Sequence, residues 1–303
     1  MVCPSLPSLD APYPVPHRAT EELREAGHTC LRGLASAEEI AAYGPVIERV
    51  ARQRCREKRP LEERDSYGRA FLQVINLWLA DETVRAFVCA RRFARVAAEL
   101  MGVPSVRLYH DQALLKEPGG GPTPWHQDQF YWPLDTAHTL TLWMPLVDLP
   151  PEIGSMSFAA GSQRLGSLGD YAIGDESERA FAARIAERGL RVESHGPLRA
   201  GDATFHSGWT LHRAAPNPTS ILRPVMTVIY FAEGARVTGL EHPSRRLDRA
   251  AYLPGCEAGE PAVSLLCPLL WPRPPGEPPE LPHLDRAYWS RVLDAAREAG
   301  ALR

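Results

Sequence analysis

The spacing of apolar and polar positions divides this chain into parts with different periods. Residues 1–17, rich in Pro and Ser, show no period and predict a loose arm. Across 18–105 the apolar positions recur mostly at helical spacing. Residues 18–60 read as helical. Ser36 is a good N-cap, Glu38 and Glu39 follow it, and the apolar series runs on toward Val50. Asp81-Glu82-Thr83 opens a second helical stretch, with Val84, Phe87 and Val88 at helical spacing. A third, Arg92 to Leu100, stops at Gly102. From Val106 the texture becomes that of strands: 106–116, 139–147, a short extended piece at 154–158, 203–212 and 223–231, with a turn at Arg199-Ala200-Gly201-Asp202.

Short strands separated by Gly and Pro predict an antiparallel sandwich or barrel, of which the jelly roll is one form. No crossover helices alternate with these strands, so a parallel α/β sheet is disfavoured. An insertion at 164–197 interrupts the strands and carries helical patterning over 177–188, with Phe181 and Ile185 on one face. Long insertions between strands often cover a site. The tail, 236–303, is Pro-rich and ends in a predicted helix over 284–299. With no internal repeat and no second boundary, the expectation is one domain over 1–303. Its β core is 106–235, behind a mostly helical part at 18–105.

Composition narrows the function without naming it. Net charge is −3 and no basic stretch is interleaved with aromatics, which argues against a nucleic-acid partner. No apolar run is long enough to span a bilayer, and the N-terminus lacks the basic and apolar regions of a secretory signal. The six cysteines contain no C-x-x-C pair and read as reduced thiols of a cytoplasmic protein. The lysines are Lys58 and Lys116, against abundant Arg. The expected partner is a small molecule, with neither nucleic acid nor membrane, and the expected state is a monomer or homodimer.

Candidate chemistry begins at Trp125-His126-Gln127-Asp128-Gln129, just after the flexible run 118–122. On an extended backbone His126 and Asp128 point the same way. An imidazole and a carboxylate aimed at one point are two parts of a facial triad, which holds Fe(II) on one face and leaves the other open. Alone, H-x-D is a short pattern that arises by chance. The segment 201–217 offers a third ligand at His206 or His212, and Arg223 follows His212 by eleven residues. An Fe(II) oxygenase that uses 2-oxoglutarate needs a cation for the distal carboxylate, and a bidentate Arg suits it.

H-x-D, then G-D-x-x-F-H-x-x-x-x-x-H, then Asn217 and Arg223, resembles the phytanoyl-CoA dioxygenase family. Ectoine hydroxylase and many natural-product tailoring oxygenases are relatives in that family. The resemblance continues in residues 114–119, 143–146 and 154–162, and covers roughly 20–235. It implies a mainly β fold with flanking helices around a double-stranded β-helix (jelly roll, cupin-like). It implies Fe(II), 2-oxoglutarate and O2, with ascorbate as the reductant in vitro. Carried over by position, His126, Asp128 and His212 become the iron ligands and His206 a structural imidazole. Arg223 becomes the anchor of the 2-oxoglutarate C5 carboxylate, with Trp143 and Gln112 as further co-substrate contacts. Two departures stand out. Ala214 replaces a Ser that helps bind this carboxylate in relatives, and Ala160-Gly161-Ser162-Gln163 replaces Pro-Gly-Ser-His.

Beside the metal motif, Phe130, Tyr131 and Trp132 are candidates for the substrate wall. They point to an apolar or ring-bearing metabolite, plausible in natural-product biosynthesis. Lys116 reads as a strand-end surface lysine as readily as a site residue. With Asp128 present, halogenation is disfavoured, since related halogenases replace the carboxylate by a small residue. The expected reaction is hydroxylation with release of succinate and CO2. Two alternatives stand: a zinc hydrolase on the same triad, which leaves Arg223 unexplained, and a catalytically silent jelly-roll binding protein.

Overall fold

A computed structural model describes residues 6–150, 153–239, 242–276 and 278–298. Its strands are β1 (His28–Leu31), β2 (Leu72–Ile75), β3 (Val106–Lys116), β4 (Thr123–His126), β5 (Thr139–Pro145) and β6 (Met156–Ala159), followed by β7 (Val192–Glu193), β8 (Ala203–Ser207), β9 (His212–Ala214), β10 (Arg223–Ala232) and β11 (Leu269–Trp271). They form a seven-stranded sheet in the order β1-β8-β5-β10-β3-β11, with β2 also pairing β3, and a four-stranded sheet in the order β4-β9-β6-β7. All pairings are antiparallel. The fold is the jelly roll with flanking helices.

Alternation along the central strands gives the large sheet two different faces. Leu140, Leu142 and Met144 of β5, Phe205 of β8, and Met226 and Val228 of β10 face a buried apolar layer with Ile47, Trp78, Phe87 and Phe93 of the N-terminal helical part. Thr141, Trp143, His206 and Thr227 of the same strands face the interior of the roll and line a cavity. The helices behind the sheet are well started and stopped. Ser36 and Glu39 form a capping box on Ala37–Arg54, and Glu39 also pairs with Arg92 at 2.8 Å. Asp81 accepts from the Thr83 and Val84 amides to cap Glu82–Val88, and Gly102 ends Arg91–Met101 in the left-handed region.

Several boundaries differ from expectation. The helical reading of 18–60 is broken by β1, whose four residues pair with β8. The single strand expected over 203–212 is two strands in different sheets, because the chain turns at Gly208. The arm is not loose over its described part: Leu9 is buried, and the Tyr43 hydroxyl donates to the Pro7 carbonyl. The C-terminal part holds an unexpected helix, Pro243–Tyr252, besides the expected last one, Arg286–Glu298. Residue 299, the expected end of that helix, lies outside the described residues. In β3 the pairing with β10 skips Tyr109, which marks a β-bulge.

Candidate active site

Two strands of the small sheet carry the metal-ligand candidates. His126 ends β4, Asp128 follows it, and His212 opens β9; His126 and His212 are register partners. Asp128 Oδ1 lies 3.6 Å from His126 Nε2 and 3.7 Å from His212 Nε2. One ligand atom from each residue lies within 4.8 Å of the others, close enough to share an ion.

The neighbours of these residues decide which atoms face that point. His126 Nδ1 donates to the Pro124 carbonyl at 2.8 Å, and His212 Nδ1 donates to the Thr210 carbonyl at 2.9 Å. Both Nε2 lone pairs are therefore free for a metal. Burial, followed by the neighbouring imidazole, pushes both rings down to about 4, so they stay neutral, the form that ligates. Thr141 Oγ1 at 2.9 Å and His206 Nε2 at 3.2 Å both donate to Asp128 Oδ2, leaving Oδ1 toward the histidines. Burial alone would raise the Asp128 carboxyl. His212, His206 and His126 outweigh that and hold it well below the usual carboxylate range. His206 is thus the orienting partner of Asp128.

The second half of the site lies where β3 and β10 meet. Arg223 is 1% exposed, and it is the register partner of Lys116. One guanidinium nitrogen donates to the Gly154 carbonyl, its Nε has no partner, and its carbon sits 5.3 Å from the centre of the Trp143 ring. Burial brings it down to about 9. Lys116 is fully buried rather than at the surface; it donates to the Gly121 carbonyl, and burial with Arg223 pushes it down to about 6. No described carboxylate pairs with Arg223. A buried cation without a counter-charge is costly. A ligand carboxylate is the group that this arrangement fits.

A cavity of about 280 Å³ joins the two halves. Among its lining residues are the three ligand candidates, Arg223, Trp143, Gln112, Tyr131 and Trp132, so it gathers almost every residue expected from sequence. Phe130 is the exception. It is buried outside the lining, with its ring 4.6 Å from that of His242. Gln112 accepts from Gln73 Nε2, and the Tyr67 hydroxyl donates to Gln73 Oε1 at 3.0 Å. The 164–197 insertion reaches the site through Ile173, whose amide donates to the Tyr131 hydroxyl at 2.8 Å. Sequence reasoning missed Tyr67, Phe71, Gln73 and Ile75 from the N-terminal part, and Asp248 and Tyr252 from the helix Pro243–Tyr252. Thr141 carried a usable signal, since it shares a strand face with Trp143.

A jelly roll with two neutral imidazoles, one carboxylate and a buried, unpaired arginine in one cavity has the architecture of a non-haem iron oxygenase. The phytanoyl-CoA dioxygenase (PhyH) family model matches residues 23–225, more than half of the chain. The chain belongs to that family and is a 2-oxoglutarate-dependent dioxygenase. It is 24% identical over 224 residues to a probable alpha-ketoglutarate-dependent hypophosphite dioxygenase of Stutzerimonas stutzeri, covering 71% of this chain and 78% of that one. Among solved structures, the alpha-ketoglutarate-dependent carbocyclase SnoK from nogalamycin biosynthesis is 26% identical, with a TM-score of 0.68 over 86% of this chain and 99% of that one. The epimerase SnoN, in complex with Fe3+, alpha-ketoglutarate and nogalamycin RO, is 29% identical, with a TM-score of 0.66 over 84% and 97%. Family membership sets aside the zinc-hydrolase and silent-binder alternatives. No described helix is long and apolar enough to cross a membrane.

Proposed function

We propose that the chain oxidises an unactivated C–H bond of a small, ring-bearing metabolite, by hydroxylation and within natural-product biosynthesis. The observation that carries this reading is the layout of the cavity. The triad shares one cavity with the cationic Arg223 and with the aromatic residues Tyr131, Trp132 and Tyr252.

His126, Asp128 and His212 would hold the iron, and Arg223 would hold the distal carboxylate of 2-oxoglutarate. Trp143, beside Arg223, and Gln112, held by Gln73, would contact that co-substrate. Iron and 2-oxoglutarate, when bound, supply the activation of O2 and the oxidising power. The protein's own work is placement. Thr141 and His206 fix the Asp128 carboxylate so that one oxygen faces the metal. Tyr131 and Trp132 exclude water and bring a substrate carbon toward the open side of the triad. That two relatives are named carbocyclase and epimerase supports an oxidation whose final outcome the pocket decides.

Incubation of the protein with Fe(II), ascorbate, 2-oxoglutarate and a panel of ring-bearing small molecules tests the reading by mass spectrometry. The expected product is heavier by one oxygen atom and forms in step with succinate. Succinate release coupled to loss of two hydrogens, or to inversion of a stereocentre without added oxygen, overturns hydroxylation.

A further inference from the structure

We propose that Asp248, set among Tyr109, His110, Trp132 and Tyr252, is the subsite for a protonated amine carried by the substrate. The inference rests on the reading of this cavity as a substrate site, and it adds a charge requirement to it.

Asp248 and Tyr252 lie one turn apart on the helix Pro243–Tyr252, and both line the cavity. Asp248 Oδ2 accepts from the Tyr109 hydroxyl at 3.1 Å. No described cation pairs with this carboxylate. Two arginines of the same helix are turned to other partners: Arg245 donates to the Phe130 carbonyl, and Arg249 to the Cys256 carbonyl and to Glu257. The carboxyl group thus faces the cavity with a neutral hydroxyl as its hydrogen-bond partner.

Its surroundings are aromatic. The Tyr252 ring is 5.1 Å from Tyr109 and stacks on His110 at 4.6 Å, and Tyr109 is 5.6 Å from Trp132. The bulge in β3 puts the consecutive residues Tyr109 and His110 on one side: His110 lines the cavity, and Tyr109, packed behind, donates to Asp248. A carboxylate beside aromatic rings suits an ammonium, which the charge and the ring faces both attract. A neutral hydroxyl brings no charge to stabilise the ionised carboxylate and leaves the group protonated. Burial raises the Asp248 carboxyl to about 8, so without a ligand it tends to keep a proton that a bound ammonium replaces. The cavity is then polarised: an arginine for the co-substrate carboxylate at one end, and a carboxylate for a cation at the other.

Calorimetric titration of the full chain, loaded with Fe(II) and 2-oxoglutarate under argon, tests this with 4-phenylbutylamine and 4-phenylbutan-1-ol, which share ring and length. The amine is expected to bind at least about tenfold more tightly than the alcohol. Asp248→Asn keeps the volume and an acceptor for Tyr109, and is expected to remove that preference while leaving the alcohol within about twofold. Equal binding of the two probes by the unaltered protein, no binding of the amine, or a preference that survives Asp248→Asn each overturns the subsite. The comparison in the unaltered protein stands even if the variant fails to fold. Succinate release with the metabolite panel is read separately, so failure of the oxidation reading and failure of the amine subsite are distinct results.

Discussion

Asp128 joins the two sheets through its side chain, with one oxygen toward His126 and His212 and the other toward Thr141 and His206. Asp128→Ala should lower iron-dependent succinate formation more than about 100-fold, with the iron content of the purified protein falling in parallel. Activity at the unaltered level would rule Asp128 out as a ligand. His110 permits a prediction about acid stability. Burial, the largest influence, lowers it from 6.5 to about 4 in the fold. The unfolded chain therefore takes up this proton first. Stability from neutral His110 is complete above about pH 6.5 and is lost as pH falls toward 4. Asp111, raised by burial to about 7, works in the opposite sense over much of this range, so the two must be separated. His110→Phe keeps a ring against Tyr252. Between pH 6.5 and 4 it should lose less unfolding free energy than the unaltered protein, by on the order of 3 kcal/mol in urea titrations. Parallel curves for the two proteins would refute this.

The turn between β8 and β9 controls the spacing of His206 and His212. Its Gly208 accepts from the Gln129 amide at 2.9 Å, and a Cβ there would collide with Thr139 Oγ1, Gln129 Oε1 and the Trp132 ring. Gly208→Ala should cost about 1–3 kcal/mol in thermal or urea unfolding and weaken iron binding, since this turn joins the strand of His206, which orients Asp128, to the strand of His212. An unchanged melting temperature and unchanged iron affinity would contradict that. The same turn shows where sequence reading succeeds and stops. H-x-D is legible because an extended backbone aims both side chains one way, and the His212-to-Arg223 spacing because it matches the pattern of the family. The turn is not, because Gly208 reads as a tolerated strand residue until Gln129 and Trp132 are seen packed on it. β1 and β2 hid for a related reason. Each has only four residues and owes its extended form to a distant partner, β8 or β3. Lys116 looked like a strand-end surface residue, yet the turn carrying Gly121 closes over it. Asp248 and Tyr252 carry no motif, and only the return of the C-terminal part across the cavity gives them a role.

Across the whole molecule, the anchoring role proposed for the buried Arg223 would couple co-substrate binding to folding. The Arg223 charge is desolvated without a carboxylate partner among the described residues, a cost that 2-oxoglutarate bound there would remove. With iron present, 2-oxoglutarate at about 100 times its dissociation constant should add about 2.7 kcal/mol of stability, seen as a raised melting temperature. Arg223→Met should abolish most of that rise, and should leave the ligand-free protein as stable as before or more so. A full 2-oxoglutarate shift in Arg223→Met would refute the anchoring role. The fold also separates the two ends of its cavity by origin. Arg223, Trp143 and the triad belong to the roll, whereas Ile173 comes from the insertion and Asp248 and Tyr252 from the C-terminal part. The bulge at Tyr109 lies on the border between these sources. With one extra residue, β3 keeps Gln112 and Leu114 in step with β10 while Tyr109 departs from that pattern to meet the later helix. In the proposed reading, such a strand can change what it offers an incoming molecule without disturbing the Gln112 contact to the reagent that every turnover would share. It works as a joint between a fixed engine and an exchangeable tool.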